Sequence, residues 1–340
     1  GQFGEAAGEG LAPIRSRRLG HPEGFRLACH ADPLGSSRAF SPAHGYRFRG
    51  SRAPPPLPPG RVRRYNPPAM ATIGEALNQA LDHHRAGRLA EAEALYRNIL
   101  ATRADHPDAT HLLGVIRYQQ GRHGEAVPLI EKAIALNPKS AAYHKNLGSA
   151  YQGLGRTEDA IRHHKEALRL DARYHEAHHG LAECHRSRDE HAQAAAAYRR
   201  ALEIAPDFIH SMNGLAISLA AVGNHEEAEK LYRRAIGIKS DFAEAHVNLA
   251  NLLKLRGRRK EAEAHFEKAL ALQPRSLPAL VNLGNLYKDE GRIAEAIGKY
   301  KDVLALQPGF APAHNNLANL YKARGESAEA LEQFRLAIRS

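Results

Sequence analysis

The histidine-rich stretch at residues 175–179 is the first place where residue types and spacing could support chemistry. It reads His-Glu-Ala-His-His and formally matches H-E-x-x-H, the pattern that places two zinc-binding histidines on one helix face. The repeat register of the chain argues against a metal site, because His175 falls at a turn between repeats. The residue type at His178 also recurs at the equivalent positions His144, His246 and His314. We therefore expect a packing or helix-start role here and no bound metal.

Other catalytic arrangements are absent from the sequence. Cys184 and His185 are adjacent, but the register places no Asn or Asp partner near them, so Cys184 is predicted to be a small buried residue. The sequence has no glycine-rich phosphate loop, no G-x-S-x-G elbow and no pair of carboxylates with catalytic spacing. We expect no catalytic site and no cofactor in this segment.

A repeating unit of fixed length must position all of these side chains. Near the C-terminus the segments NLANLLK, NLGNLYK and NLANLYK begin at Asn248, Asn282 and Asn316, which lie 34 residues apart. A glycine recurs with the same period, replaced once by Asp189, and an alanine follows it five residues later in every unit. Such a period predicts a stacked repeat array. The predicted units are 73–106, 107–140, 141–174, 175–208, 209–242, 243–276, 277–310 and 311–340.

Each unit is predicted to be a helical hairpin. In the sixth unit, Leu249, Leu252 and Leu253 have the spacing of one helix face, and Gly257 permits a tight turn. The second helix carries Phe266 between regularly spaced alanines. One hairpin cannot bury such a stripe alone, so neighbouring units must stack.

These residues resemble the tetratricopeptide repeat family. The matching pattern is a small residue in the first helix, glycine at the turn, A-x₃-F/Y-x₂-A in the second helix and a closing proline, repeated in register over eight units. The departures are Asp189 for a turn glycine, Ala104, Ala172 and Ser240 for closing prolines, and Ile99 and Val303 for small residues. The resemblance implies an all-α fold, a right-handed α-solenoid of helix-turn-helix repeats. It also implies that the first helices line a concave groove that binds extended peptides of other proteins.

Asparagine recurs at the sixth position of five units, although it is only a middling helix former. Its amide offers donors and an acceptor, so a line of such amides could pair with the backbone of an extended peptide. The alternative is that these asparagines bond only to neighbouring helices and orient the stack. The predicted peptide-binding residues are Asn78, Asn146, Asn248, Asn251, Asn282, Asn285, Asn316, Asn319, Lys254, Lys288 and Lys322.

Two known uses of the family can be compared with these positions. Some members clamp a C-terminal carboxylate with basic residues at the fifth and ninth positions, where this chain has only Lys145, so such a clamp is not expected. The asparagine-rich segments are similar to the repeat region of protein O-GlcNAc transferases and related bacterial proteins. That resemblance implies an alternative function, the substrate-recruiting arm of a glycosyltransferase whose catalytic domain lies outside this sequence.

Residues 1–69 differ in composition from the repeats. They hold eleven of the nineteen prolines, eleven arginines, no lysine and four acidic residues, and so carry most of the net charge of +11. This composition predicts disorder. Three interpretations remain open: translation starting at Met70, a basic tail that contacts nucleic acid or anionic membrane, and a transit peptide.

The sequence also suggests what surrounds the array. We expect other proteins or peptides as partners, no nucleic acid, no membrane-spanning helix and a cytoplasmic location. The last apolar stripe, Ala330, Phe334, Ala337 and Ile338, is expected to be open to water, because no polar capping helix comes after it. We therefore expect a further domain or a partner to cover the end at Ser340.

Overall fold

The computed structural model describes residues 72–340, which form sixteen α-helices and contain no β-strand. The predicted disordered segment at residues 1–69 lies outside this range. The helices are α1 (Ile73–Arg85), α2 (Leu89–Thr102), α3 (Pro107–Gln119), α4 (His123–Leu136), α5 (Ala141–Gly153), α6 (Thr157–Leu170), α7 (His175–Ser187), α8 (His191–Ile204), α9 (Ile209–Ala221), α10 (His225–Ile238), α11 (Ala243–Leu255), α12 (Arg259–Leu272), α13 (Leu277–Asp289), α14 (Ile293–Leu306), α15 (Ala311–Ala323) and α16 (Ser327–Arg339).

The helices stack in chain order as eight hairpins. Each odd-numbered helix packs on the even-numbered helix that comes next, and that helix packs on the first helix of the next hairpin. Every odd-numbered helix begins at the first residue of a predicted unit. The prediction of an all-α solenoid is confirmed.

Small residues and rings alternate in the core. The alanine of each second helix is buried in all eight hairpins, from Ala92 to Ala330. One turn later comes a large side chain such as Tyr96, Phe266 or Tyr300, also fully buried. The alanines let helix backbones approach closely, and the rings fill the space between hairpins, as close packing requires.

Ion pairs join consecutive hairpins at their turns. The Glu229 carboxylate of α10 is largely buried and accepts hydrogen bonds from the side chains of Arg233, Arg256 and Arg258 at 2.6–2.9 Å. Arg292 pairs in the same way with Glu263 of the preceding hairpin, at 2.9 Å. A buried carboxylate with several arginine partners fixes the register between hairpins.

The final helix corrects one expectation about the open apolar stripe. Ala330 is buried, because it packs within the hairpin of α15 and α16, whereas Ile338 is 85% exposed. Phe334 and Ala337 are half-buried. The expected cover over this end stays a prediction.

The turn inside each hairpin requires a left-handed backbone conformation. The seven turn glycines, from Gly87 to Gly325, have φ between 70° and 85°. Asp189 occupies the same turn in the fourth hairpin with φ 58°, the only positive φ of a non-glycine residue within residues 72–340. A side chain in this region is strained, although aspartate tolerates it better than most residues.

We predict that Asp189→Gly stabilises the array by about 0.5–1 kcal/mol, because glycine adopts this φ without steric cost. The measurement is the urea midpoint of unfolding, followed by circular dichroism. The reciprocal variant Gly257→Asp should lower the midpoint by a similar amount. An unchanged or lower midpoint for Asp189→Gly would show that the turn carries no strain.

Candidate functional site

The odd-numbered helices form the inner wall of the array. The more extensive contacts between alternate helices are all between odd-numbered helices, from α3 with α5 to α11 with α13. Even-numbered helices do not approach one another to the same extent, so they form the wider, outer side. Every predicted peptide-binding residue lies on an odd-numbered helix.

Several of the predicted asparagines bond to neighbouring hairpins. The Asn248 amide donates to the side-chain oxygen of Asn213 at 3.1 Å, and Asn316 donates to Asn285 at 3.4 Å. Asn146 lies 2.9 Å from His111, measured from its amide nitrogen to the ring Nε2. These contacts join successive hairpins, as the alternative interpretation of the asparagines requires.

Other members of the set keep their amides open. Asn251 and Asn282 are partly exposed, Asn78 and Asn319 are exposed, and none of the four makes a side-chain hydrogen bond within residues 72–340. The structure therefore divides the predicted asparagines into a group that holds hairpins in register and a group whose donors and acceptors face solvent.

The predicted lysines differ in the same way. Lys254 is paired with Asp289 at 2.7 Å, and Lys288 donates to the Asn316 side chain at 3.4 Å. Lys322 is exposed. Two of the three ammonium groups are therefore committed to contacts within the wall.

The line of asparagines is interrupted at Gly180 and Gly214 for a steric reason. A Cβ atom at Gly180 would lie 2.4 Å from the His164 ring of the preceding hairpin. A Cβ atom at Gly214 would lie 2.4 Å from the Tyr198 ring. With the rings placed as they are, a side chain at either position would force them to shift, and none projects from the wall there.

A polar pocket of about 200 Å³ opens beside Gly214. It is built from the inner faces of α7 and α9 and the first turn of α11. Apart from His179, which belongs to the H-E-x-x-H pattern, sequence reasoning did not single out the residues of this pocket. The lining residues are His179, Glu183, Arg186, His210, Asn213, Gly214, Ile217 and Glu244.

Two carboxylates in this pocket have different partners. Glu183 pairs with Arg186 and accepts a hydrogen bond from the Tyr198 hydroxyl. Although burial acts to raise it, Arg186 holds the pKa of the Glu183 carboxyl below its usual value. Within residues 72–340, the hydrogen-bond partner of Glu244 is the Asn213 amide, which donates to it at 2.9 Å. Burial raises the pKa of the Glu244 carboxyl.

The histidines of the H-E-x-x-H pattern are held by packing contacts. His175 and His179 lie on α7 and pack edge-on against the Phe208 ring, with centroid distances of 5.2 and 5.1 Å. His179 also bonds to the Ser211 hydroxyl at 3.0 Å, and burial lowers its pKa to about 4. No group of three potential metal ligands occurs among residues 72–340. His175 is the first residue of the helix rather than part of the turn.

Histidines at the fourth position of several units tie down the turn that precedes the hairpin. The ring Nε2 of His178, His246 and His314 donates to the backbone carbonyl six residues earlier, at 2.8–3.2 Å. The expected helix-start role is therefore observed. Cys184 is buried, as predicted, and burial raises its pKa to about 12, so the thiol is unreactive.

One buried histidine has an unsatisfied ring nitrogen. His164 is fully buried in the slot that tyrosine or phenylalanine fills in other hairpins. Its Nε2 donates to the Gln152 side chain at 3.0 Å, while its Nδ1 lacks a hydrogen-bond partner within the described residues. Burial lowers the pKa of His164 to about 3, so the ring is neutral in the folded chain.

The sequence matches models of known repeat families. Residues 77–141 and 138–207 each match a model described as tetratricopeptide repeat. Residues 212–338 match the model of the cilia and flagella-associated protein 70 middle TPR-like domain. The comparison with curated proteins found no match. No helix within residues 72–340 is long and apolar enough to cross a membrane.

Solved structures share the fold at low sequence identity. The APC/C hetero-tetramer Cut9–Hcn1 contains a chain 18% identical with a TM-score of 0.62; the match covers 78% of this chain and 52% of that one. A tetratricopeptide repeat protein from Parabacteroides merdae is 18% identical with a TM-score of 0.56, covering 78% and 98%. A human IFIT1 dimer with PPP-AAAA is 17% identical with a TM-score of 0.57, covering 79% and 73%. The present chain thus spans about half of the Cut9–Hcn1 chain, and these similarities establish the fold alone.

The neutral His164 should make the array sensitive to acid. The unfolded chain takes up a proton near pH 6.5, whereas the folded chain does not until about pH 3, so stability is lost as the pH falls below 6.5. We predict that His164→Phe reduces the stability loss between about pH 7.5 and about pH 5 by about 2 kcal/mol.

The measurement is the urea midpoint at both pH values. The reciprocal variant Phe266→His, in the same slot of the sixth hairpin, should lose more stability on acidification than the parent. Equal acid losses in the parent and His164→Phe would contradict the assignment of a neutral buried ring.

Proposed function

We propose that this array, whose hairpins are tetratricopeptide repeats, is a protein–protein interaction scaffold that binds extended segments of other proteins along its inner wall. The observation that carries the proposal is the set of open amides on odd-numbered helices. Asn251 and Asn282 are partly exposed there and make no side-chain hydrogen bonds within residues 72–340. A cytoplasmic location and the absence of nucleic-acid partners stay predictions.

Asparagine suits this task because its amide mimics the peptide group. It can donate to a peptide carbonyl and accept from a peptide N–H at the same time, whatever the neighbouring side chains are. A wall of such amides would recognise extended backbone, and other groups of the wall would select side chains. Each such hydrogen bond contributes about 0.5–1.5 kcal/mol net, so several are needed for useful affinity.

The bonded asparagines fix the positions of the hairpins that carry the open asparagines. The contact of Asn248 with Asn213 and that of Asn316 with Asn285 each join two neighbouring hairpins. Asn285 is fixed further by the Tyr300 hydroxyl, which donates to it at 2.7 Å. Such bonds limit sliding between hairpins, so the open amides are presented in a fixed order. Pre-organisation of this kind lowers the entropy cost of binding.

The alternative function, a substrate-recruiting arm of an O-GlcNAc transferase-like enzyme, rests on the resemblance of the asparagine-rich segments. It uses the same groove and differs only in requiring a catalytic domain C-terminal to the array. Reading the coding sequence beyond Ser340 would test it, because a nucleotide-sugar-binding α/β domain would support the enzyme.

Replacement of the open amides tests the proposed groove. Random peptides displayed on phage would be selected on the purified chain, and the affinity of the best peptide measured by fluorescence anisotropy. We expect the combined variant Asn251→Ala, Asn282→Ala and Asn319→Ala to weaken binding by about 10- to 100-fold, since up to three hydrogen bonds are lost.

The control variant carries Asn98→Ala and Gln193→Ala, which change exposed residues of the even-numbered helices α2 and α8. It should bind like the parent. Unchanged affinity of the open-amide variant, with unchanged helicity by circular dichroism, would show that these amides do not contribute to binding. Failure to select any peptide would contradict the proposed function itself.

A further inference from the structure

The pocket beside Gly214 lies where the line of asparagines is broken, and it differs chemically from the rest of the wall. We propose that it is a subsite for one basic side chain, lysine or arginine, of the bound segment. This inference rests on the proposed function and adds to it the chemistry of one partner residue. Three features of the pocket lead to it: its shape, its uncompensated charge and the way its carboxylate is oriented.

The shape results from the absence of a side chain at Gly214. The Tyr198 ring occupies the space that a Cβ atom there would need. The resulting volume of about 200 Å³ is larger than one side chain requires, which leaves room for a charged group with bound water. The opening faces the inner wall, along which an extended segment would run.

The charge of the pocket is concentrated on Glu244. Glu183 and Arg186 form an ion pair, so their charges compensate each other. Glu183 also accepts a hydrogen bond from the Tyr198 hydroxyl. Burial lowers the pKa of both His179 and His210, so neither ring contributes positive charge at neutral pH. An anion in this pocket would meet two carboxylates, whereas a cation would meet Glu244, a carboxylate whose hydrogen-bond partner within residues 72–340 is the neutral Asn213 amide.

The carboxylate of Glu244 is held in place by a chain of amides. Asn248 donates to Asn213, and Asn213 donates to the Oε1 atom of Glu244 at 2.9 Å. Asn213 is buried, so this chain fixes one carboxylate oxygen and leaves the other, Oε2, to accept from a ligand. Burial raises the pKa of Glu244 because it disfavours the ionised carboxylate. A cationic partner would offset that unfavourable free energy.

The pocket lining beside this carboxylate suits the methylene chain of a long basic side chain. Ile217 and the imidazole rings of His179 and His210 line the pocket. The two rings are braced from behind by Phe208 and Phe242, with centroid distances of 5.1 and 5.4 Å. Lysine and arginine bury their methylene groups on such surfaces while the charged end reaches an acceptor.

The first arm of the test uses a small probe, so that it does not depend on binding along the groove. The full chain is titrated with Nα-acetyl-lysine-N-methylamide or the arginine analogue, and NMR follows the Asn213 side-chain amide and the Gly214 backbone amide. We expect saturable shifts at these sites with the basic probes and none with the norleucine analogue. Absence of such shifts with both basic probes would overturn the inference.

The charge of Glu244 is tested by Glu244→Gln, which keeps a hydrogen-bond acceptor for Asn213. We expect it to weaken the probe by at least about 10-fold. The matched control is Glu267→Gln, the same substitution at an exposed position of the outer helix α12, and it should leave the affinity unchanged. Equal affinities for the parent and Glu244→Gln would overturn the inference.

The second arm separates this inference from the proposed function. Peptides selected from the phage library on the parent should share lysine or arginine at one position, and this preference should vanish on Glu244→Gln. Selected peptides without a basic preference would support the groove and overturn the subsite. If no peptide is selected, both fail, even where the small probe binds.

Discussion

A single helical hairpin of this size cannot bury its apolar stripe, so each unit depends on the next one for its core. The stacking is possible because small residues stand where helix backbones approach, and because one large side chain from each second helix, a ring in most hairpins and Ile130 in α4, fills the remaining space. Stability is then distributed over many similar interfaces. Ion pairs such as that of Arg258 with Glu229 fix the register between neighbouring hairpins. They do not form a core of their own.

This arrangement leaves few side-chain positions of the inner wall free from packing. Large side chains of the odd-numbered helices are used for packing, and only a few positions in each unit face the groove. The chain uses several of these positions for asparagine. Some amides join hairpins, as Asn248 does with Asn213, and others such as Asn282 remain open. One residue type therefore joins hairpins at some positions and leaves its amide open at others, so the two interpretations of the asparagines are compatible.

The pocket shows how a packing constraint can create a binding feature. The Tyr198 ring occupies the space that a Cβ atom at position 214 would need, and the wall recedes at Gly214. Around the recess, Glu183 pairs with Arg186, whereas Glu244 accepts its hydrogen bond within residues 72–340 from the neutral Asn213 amide. An inner wall lined only by amides would bind the backbone of an extended segment without selecting its side chains. A single recess with one charge adds selectivity for a side chain and for the register of the bound segment.

The repeat pattern alone determined the fold, because a period of 34 residues, turn glycines and regularly spaced alanines allow only stacked helical hairpins. It also identified the turn position that Asp189 occupies, whereas the placement of the first helices along a groove was implied by the family resemblance. Sequence could not separate the open asparagines from the bonded ones, since both groups contain residues of the sixth and of the ninth repeat position. It did not find the pocket, because the pairing of Glu183, Arg186, Asn213 and Glu244 depends on side chains that meet across three hairpins. Such contacts are decided only when the hairpins stack.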